Sequence, residues 1–139
     1  MPNDAKAPAR TINFQCEPSW LSLWLLKLGA EVYGYSLSPT TSPNLFTLLY
    51  NDYFNGCAIR NQFFELHDDI RDYDTLSSFV RNAQPEIIFH VAAHKHVPMM
   101  EAQPSEAIKN NSFGSAFLAK LAAEFGVERF VMISTDKAI

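Results

Sequence analysis

Four consecutive side chains, Ser134, Thr135, Asp136 and Lys137, place hydroxyl, carboxyl and amine groups side by side directly after an apolar run, Arg129 to Ile133 (RFVMI). Such a set can hold a polar ligand and exchange protons with it. A lysine in it acts as a base only if its pKa is lowered from about 10.4 by burial or by a nearby positive charge. A second apolar run, Ile87 to Val91 (IIFHV), ends in Ala92, Ala93, His94, Lys95 and His96. Both runs read as buried parallel strands, and in open α/β sheets ligands bind at the C-terminal ends of the strands. The bland alternative for Thr135 to Lys137 is a polar strand-to-loop transition holding a solvated ion pair.

Three further places stand out. Asp69 and Ile70 follow a third strand candidate, in a loop where Asp72 is placed to cap a helix. Asn110, Asn111 and Gly114 lie inside a long helical segment. Asparagine and glycine each cost roughly 0.5–1 kcal/mol there relative to alanine, so a packing or a functional reason is expected. His90, His94 and His96 could suggest a metal centre, but His90 sits within an apolar strand. No cysteine or carboxylate is spaced to complete a tetrahedral set, so no metal is expected.

Alternating strands and helices must position these groups. Residues 1–16 read as an irregular leader, with Thr11 to Cys16 a weak strand candidate. Residues 17–139 read as one incomplete nucleotide-binding domain. Within it the pattern predicts a helix over Trp20 to Leu28, closed by Gly29, and a strand over Glu31 to Ser36. A loop over Leu37 to Asn44 and a short helix over Leu45 to Tyr50 follow. A strand is expected at Phe63 to Leu66, a helix at Tyr73 to Ala83 with Asp72 as N-cap, and a strand at Glu86 to Ala92. One helix is expected from Pro104 to about Phe125, stopping at Gly126, and a last strand at Arg129 to Ser134. The fold class is α/β, a partial Rossmann-like doubly wound parallel sheet, truncated at its C-terminal side.

Composition narrows the function classes. The chain has 139 residues, 47% hydrophobic and 19% charged, with net charge -4. That is a globular composition. It argues against general nucleic-acid or anionic-membrane surfaces. No apolar stretch approaches the ~20 residues that span a bilayer, and the first ten residues lack a signal-like apolar region. A cytoplasmic location is expected, with Cys16 and Cys57 as free thiols.

Two parts of the chain resemble the extended short-chain dehydrogenases that act on nucleotide sugars. Residues 19–92 resemble CDP-glucose 4,6-dehydratases, through SWLSLWLLKLGAEVYGYSLSPTTSPNLF, DIRDYDTL and QPEIIFHVAA. Residues 91–139 resemble UDP-N-acetylglucosamine 4,6-dehydratases of polysaccharide biosynthesis, through AAHKHVPMMEAQPSEAIKNNSFG and GVERFVMISTDKA. The join near Val91 to His94 looks like a recombination or a gene fragment.

The resemblance implies a lyase that oxidises C4 with NAD or NADP, eliminates water across C5–C6 and returns hydride to C6. It implies that Asp136 is the acid at the C6 hydroxyl, Lys137 assists proton removal at C5, and Thr135 holds the C4 hydroxyl. Lys95 is placed near substrate, or else is a solvated loop lysine. Asp69 accepts from the adenine amino group, Ile70 covers the ring, and Ala92 and Ala93 allow close approach of the dinucleotide. Asn111 bonds to neighbouring strand backbone.

Two departures qualify these expectations. Where both families carry a GxxGxxG turn, this chain reads NFQCEPSW, without glycine. The Tyr-x-x-x-Lys pair, or its Met-for-Tyr variant, is absent from the 139 residues. NAD versus NADP stays open, because the second strand ends in Tyr35-Ser36 without an acidic residue. The function expected is a truncated nucleotide-sugar 4,6-dehydratase domain of surface polysaccharide biosynthesis, inactive alone. Its partners would be a nucleotide sugar, a second copy, or a polypeptide carrying the missing C-terminal half. The other reading is a non-catalytic Rossmann-like remnant, acting as a protein-interaction module or without function.

Overall fold

The computed structural model describes residues 9–14, 20–36, 63–94 and 97–134. Five parallel strands form one sheet: β1 (Arg10–Phe14), β2 (Glu31–Ser36), β3 (Phe63–His67), β4 (Ile87–His90) and β5 (Arg129–Met132), in the order β3-β2-β1-β4-β5. The helices are α1 (Trp20–Lys27), α2 (Tyr73–Ala83), α3 (Val97–Ala102), α4 (Pro104–Ala107) and α5 (Ser115–Glu124), with a π-helical segment, Ile108–Gly114, between α4 and α5. This is the expected doubly wound α/β arrangement.

The leader boundary needs correction. β1 is the central strand, paired with β2 on one side and β4 on the other, so the domain begins no later than Arg10. Thr11 to Phe14 are all buried. A strand flanked on both sides and covered on both faces has no solvent-facing row, so its sequence need not alternate. Ile12 and Phe14 enter the main core with Leu76 and Val80 of α2, Ile88 of β4, and Leu118 and Leu121 of α5. Asn13 points toward α1, where its Nδ2 donates to Ser22 Oγ at 2.8 Å. Helices therefore cover both faces.

The caps follow from residue type. Gly29 takes φ +83° after α1. Its N–H donates to Leu26 O at 2.9 Å, and Ala30 N–H donates to Leu25 O at 3.0 Å. These two bonds make a Schellman motif, which needs a left-handed residue. Asp72 caps α2 as expected, its carboxylate accepting from the N–H groups of Asp74 and Thr75.

The helix expected from Pro104 to about Phe125 runs without a gap from Pro104 to Glu124, but its middle, Ile108–Gly114, takes the π register. At Gly114, within that segment, an added Cβ would sit 2.6 Å from Ile70 Cδ1, so the segment packs closely on the turn after β3 and a larger residue would force a shift. α3 was not foreseen; none of its residues is buried. The expected loop over 37–44 and helix over 45–50 lie outside the described residues.

Candidate functional site

The parallel register brings five strand ends to one level. Phe14 pairs with Tyr35 and with His90, Tyr35 with Leu66, and His90 with Met132. Just past that level, Val91 N–H donates to Phe14 O at 2.9 Å and Ile133 N–H to His90 O at 3.0 Å. Connections leave β1 and β4 in opposite directions, so the crevice between them is the topological switch point, the usual ligand position in such sheets.

Asp69 and Ile70 sit in the turn after β3, at this edge. The Asp69 carboxylate is heavily used. Oδ1 accepts from Arg71 N–H at 2.9 Å and from Arg71 Nε at 2.9 Å, and Oδ2 accepts from Nε at 2.8 Å and Nη2 at 2.5 Å. Three N–H donors of Arg71, one of them shared between both oxygens, thus engage a carboxylate that offers roughly four lone-pair positions. The Arg71 hydrogen bonds hold the Asp69 carboxyl below its ordinary range. Arg71 Nη1 also reaches Glu106 Oε2 at 2.5 Å, tying the turn to α4, and Lys109 Nζ joins Glu106 at 3.1 Å. Glu106 is held low by Lys109 first and by Arg71 second. Tyr35 donates its hydroxyl to Asp69 O at 3.2 Å, and burial pushes that phenol above its ordinary pKa. Ile70 is 6% exposed; its side chain points at Gly114.

Ala92 is half-buried and packs on the core, while Ala93 is exposed. Asn111, in the π segment, bonds to the backbone of His94, four residues past the end of β4. Its Nδ2 donates to His94 O at 3.0 Å and its Oδ1 accepts from His94 N–H at 2.8 Å. Asp69, Ile70 and Asn111 are thus gathered around the ends of β3 and β4. Lys95, Thr135, Asp136 and Lys137 lie outside the described residues, as does the turn 15–19 after β1.

Sequence reasoning missed the surroundings of His90, which it read as a packed histidine. His90 is buried, and its Nε2 lies 2.7 Å from Ser115 Oγ. Ser115 has one hydroxyl proton and gives it to Asn111 O at 2.6 Å. His90 Nε2 must therefore be the protonated nitrogen, leaving Nδ1 as a bare acceptor. Nδ1 is buried with no partner among the described residues. Burial pushes the His90 pKa down. An unfolded histidine titrates near ~6.5. Below that pH the unfolded chain binds a proton that the folded chain resists, so stability falls as the medium is acidified. We expect this to cost at most about 1.4 kcal/mol per pH unit for one proton. Urea midpoints between neutral and mildly acidic pH should decline for the native chain and decline less in His90→Gln. Equal slopes would remove His90 from the effect.

The cofactor implied by the resemblance can be tested against these residues. The crevice and the small Ala92–Ala93 pair suit a dinucleotide. On the adenine side Asp69 is engaged by Arg71 and Ile70 is turned into the core. The sequence after Phe14 has no glycine that would admit a pyrophosphate against the backbone.

A family described as "Polysaccharide biosynthesis protein" matches residues 44–139. CDP-glucose 4,6-dehydratase of Salmonella typhimurium is 36% identical over 121 residues, 86% of this chain and 31% of that protein. The inverting UDP-N-acetylglucosamine 4,6-dehydratase of Campylobacter jejuni is 40% identical over 70 residues, 50% of this chain and 20% of that protein. Among solved structures, a UDP-glucose 4-epimerase of Stenotrophomonas maltophila with bound NAD and formylated UDP-arabinopyranose superposes with TM-score 0.74 at 17% identity, over 92% of this chain and 37% of that one. The chain spans between 12% and 31% of the length of the curated relatives it matches first.

Proposed function

The chain belongs to the polysaccharide biosynthesis protein family, within the nucleotide-sugar dehydratases and epimerases, and from that premise we propose that it carries the acid–base edge of a nucleotide-sugar 4,6-dehydratase. The observation that carries this is the 36% identity to CDP-glucose 4,6-dehydratase across 86% of the chain. In this reading Thr135 holds the C4 hydroxyl, Asp136 protonates the departing C6 hydroxyl and Lys137 assists removal of the C5 proton. Lys95 contacts the sugar nucleotide from the loop after β4. Asn111 supports this edge by fixing the backbone of His94.

Elimination alone does not complete the reaction, and these 139 residues hold neither a glycine-rich turn nor a Tyr-x-x-x-Lys pair. We therefore expect calorimetric titration with NAD and NADP to show weak binding or none. A micromolar dissociation constant would overturn that expectation. Incubated alone with CDP-glucose or UDP-N-acetylglucosamine, the chain should give no 4-keto-6-deoxy product by mass spectrometry. Product should form only when a second polypeptide supplies the Tyr-x-x-x-Lys segment, and should vanish in Asp136→Asn. Failure to form product in every combination would favour the non-catalytic reading.

Self-association is a further expected property. Among the described residues β5 pairs only with β4, and Met132 and Ile133 at its end are 56% and 55% exposed. An open apolar strand edge is a template for pairing. Sedimentation of the purified chain should show dimers or larger species, and a clean monomer at high concentration would contradict this.

A further inference from the structure

β4 and the segment that follows it are joined to the helical layer at two levels, four residues apart along each chain segment. His90 meets Ser115, and His94 meets Asn111. The π register makes the two contacts interdependent. Ser115 N–H goes to Ser112 O, three residues back, not to Asn111 O four residues back. The Ser115 hydroxyl takes the Asn111 carbonyl instead, at 2.6 Å. That hydroxyl is itself oriented by the buried His90 Nε2–H at 2.7 Å. Asn111 is thus held from behind through its carbonyl while its amide grips both backbone groups of His94. π turns inside α-helices often mark functional sites, because they turn one side chain out of the ordinary helical sequence of directions.

We propose that His90 and Ser115 are positioning residues that act through Asn111: together they set the π register and so hold the backbone of the Ala92–His94 loop in place at the C-terminal edge of the sheet. The imidazole does this as the neutral Nε2–H form, and among the described residues its buried Nδ1 has no partner. A buried acceptor without a partner is destabilising, so a purely packing residue would serve the core better at this position. The functional consequence deepens the dehydratase reading, which assigns this edge to the sugar nucleotide. The geometric claim needs no ligand, so its failure is distinguishable from failure of that reading.

The test is amide hydrogen exchange with the full chain, read residue by residue by NMR, in the native protein, Ser115→Ala and Ser115→Thr. In Ser115→Ala the His94 amide should exchange about tenfold faster or more, while Val80 in α2 keeps its protection. Ser115→Thr retains the hydroxyl and should restore His94 protection. The imidazole nitrogen shifts give a second readout. The native protein should show one neutral tautomer with Nδ1 unprotonated, and Ser115→Ala should show a mixture. Unchanged His94 exchange in Ser115→Ala, acceleration spread equally over α2, or a native Nδ1–H tautomer would each overturn the proposal. If Ser115→Ala does not fold, the native tautomer and the Ser115→Thr exchange decide it.

Discussion

Phe14→Ala should lower folding stability by about 3–5 kcal/mol, the range for truncating a fully buried phenylalanine. Phe14 is 0% exposed at the end of the central strand. Its ring centroid lies 5.1 Å from Tyr35 and 6.5 Å from Phe79, so it joins β1, β2 and α2 in one aromatic cluster. The loss is large because three elements meet on it, and none can collapse into the space without breaking strand register. Against the roughly 5–15 kcal/mol that keeps a domain folded, it removes about a fifth of the stability or more. Urea unfolding should show a lower midpoint with an unchanged slope. Phe14→Leu, which keeps most of the volume, should cost far less. A Phe14→Ala loss under about 1 kcal/mol would mean that the cluster contributes little.

The second large effect is expected at Gly114, where the sign of a coupling decides. Alanine is about 1 kcal/mol better than glycine within a helix. Here, however, the new methyl would lie 2.6 Å from Ile70 Cδ1 and 2.9 Å from Ile70 Cγ1. Ile70 is buried and β-branched, so it has little freedom to withdraw. Overpacking costs about 1–3 kcal/mol, so Gly114→Ala should destabilise despite the better helix former. Gly114→Val should destabilise more. Ile70→Ala alone should cost about 2–5 kcal/mol. In that background Gly114→Ala should become stabilising, because the obstruction is gone and the helical preference remains. The double-mutant cycle measures this reversal directly. A destabilising Gly114→Ala in the Ile70→Ala background would place the strain elsewhere.

Much of the fold was legible because local chemistry and burial agree. β2 and α2 fall on the expected residues, and Asp72 and Gly29 cap as their side chains dictate. Legibility failed where a distant contact overrides a local pattern. Pro104 to Phe125 carries one apolar periodicity, yet its middle takes a π turn where Gly114 meets Ile70 and Asn111 meets His94. α3 escaped because its Val97 and Met99 remain exposed, so no buried stripe marks it. Thr11 to Cys16 read only as a weak strand candidate within a leader because a strand buried on both faces carries Thr11 and Asn13 as well as Ile12 and Phe14. At the site, the engagement of Asp69 by Arg71 was not legible, since side-chain partners two residues apart in a turn carry no periodic signal.

The strand order has a consequence for the order of events in folding. β1 pairs with β2 about twenty positions away, but Thr11 pairs with Ile87 on its other side. The middle of the sheet therefore cannot close until most of the chain has been synthesised. Until then the edge of β1 that β4 later takes is bare, and Ile12 and Phe14 lack the α5 residues that later cover them. Pairings this distant in sequence are slow to form. At bacterial or eukaryotic synthesis rates of about 5–20 residues per second, the nascent β1 waits for seconds, in reach of other chains on the same message. Slowed elongation between β2 and β4 should lengthen that wait and raise the share of chain lost to aggregation.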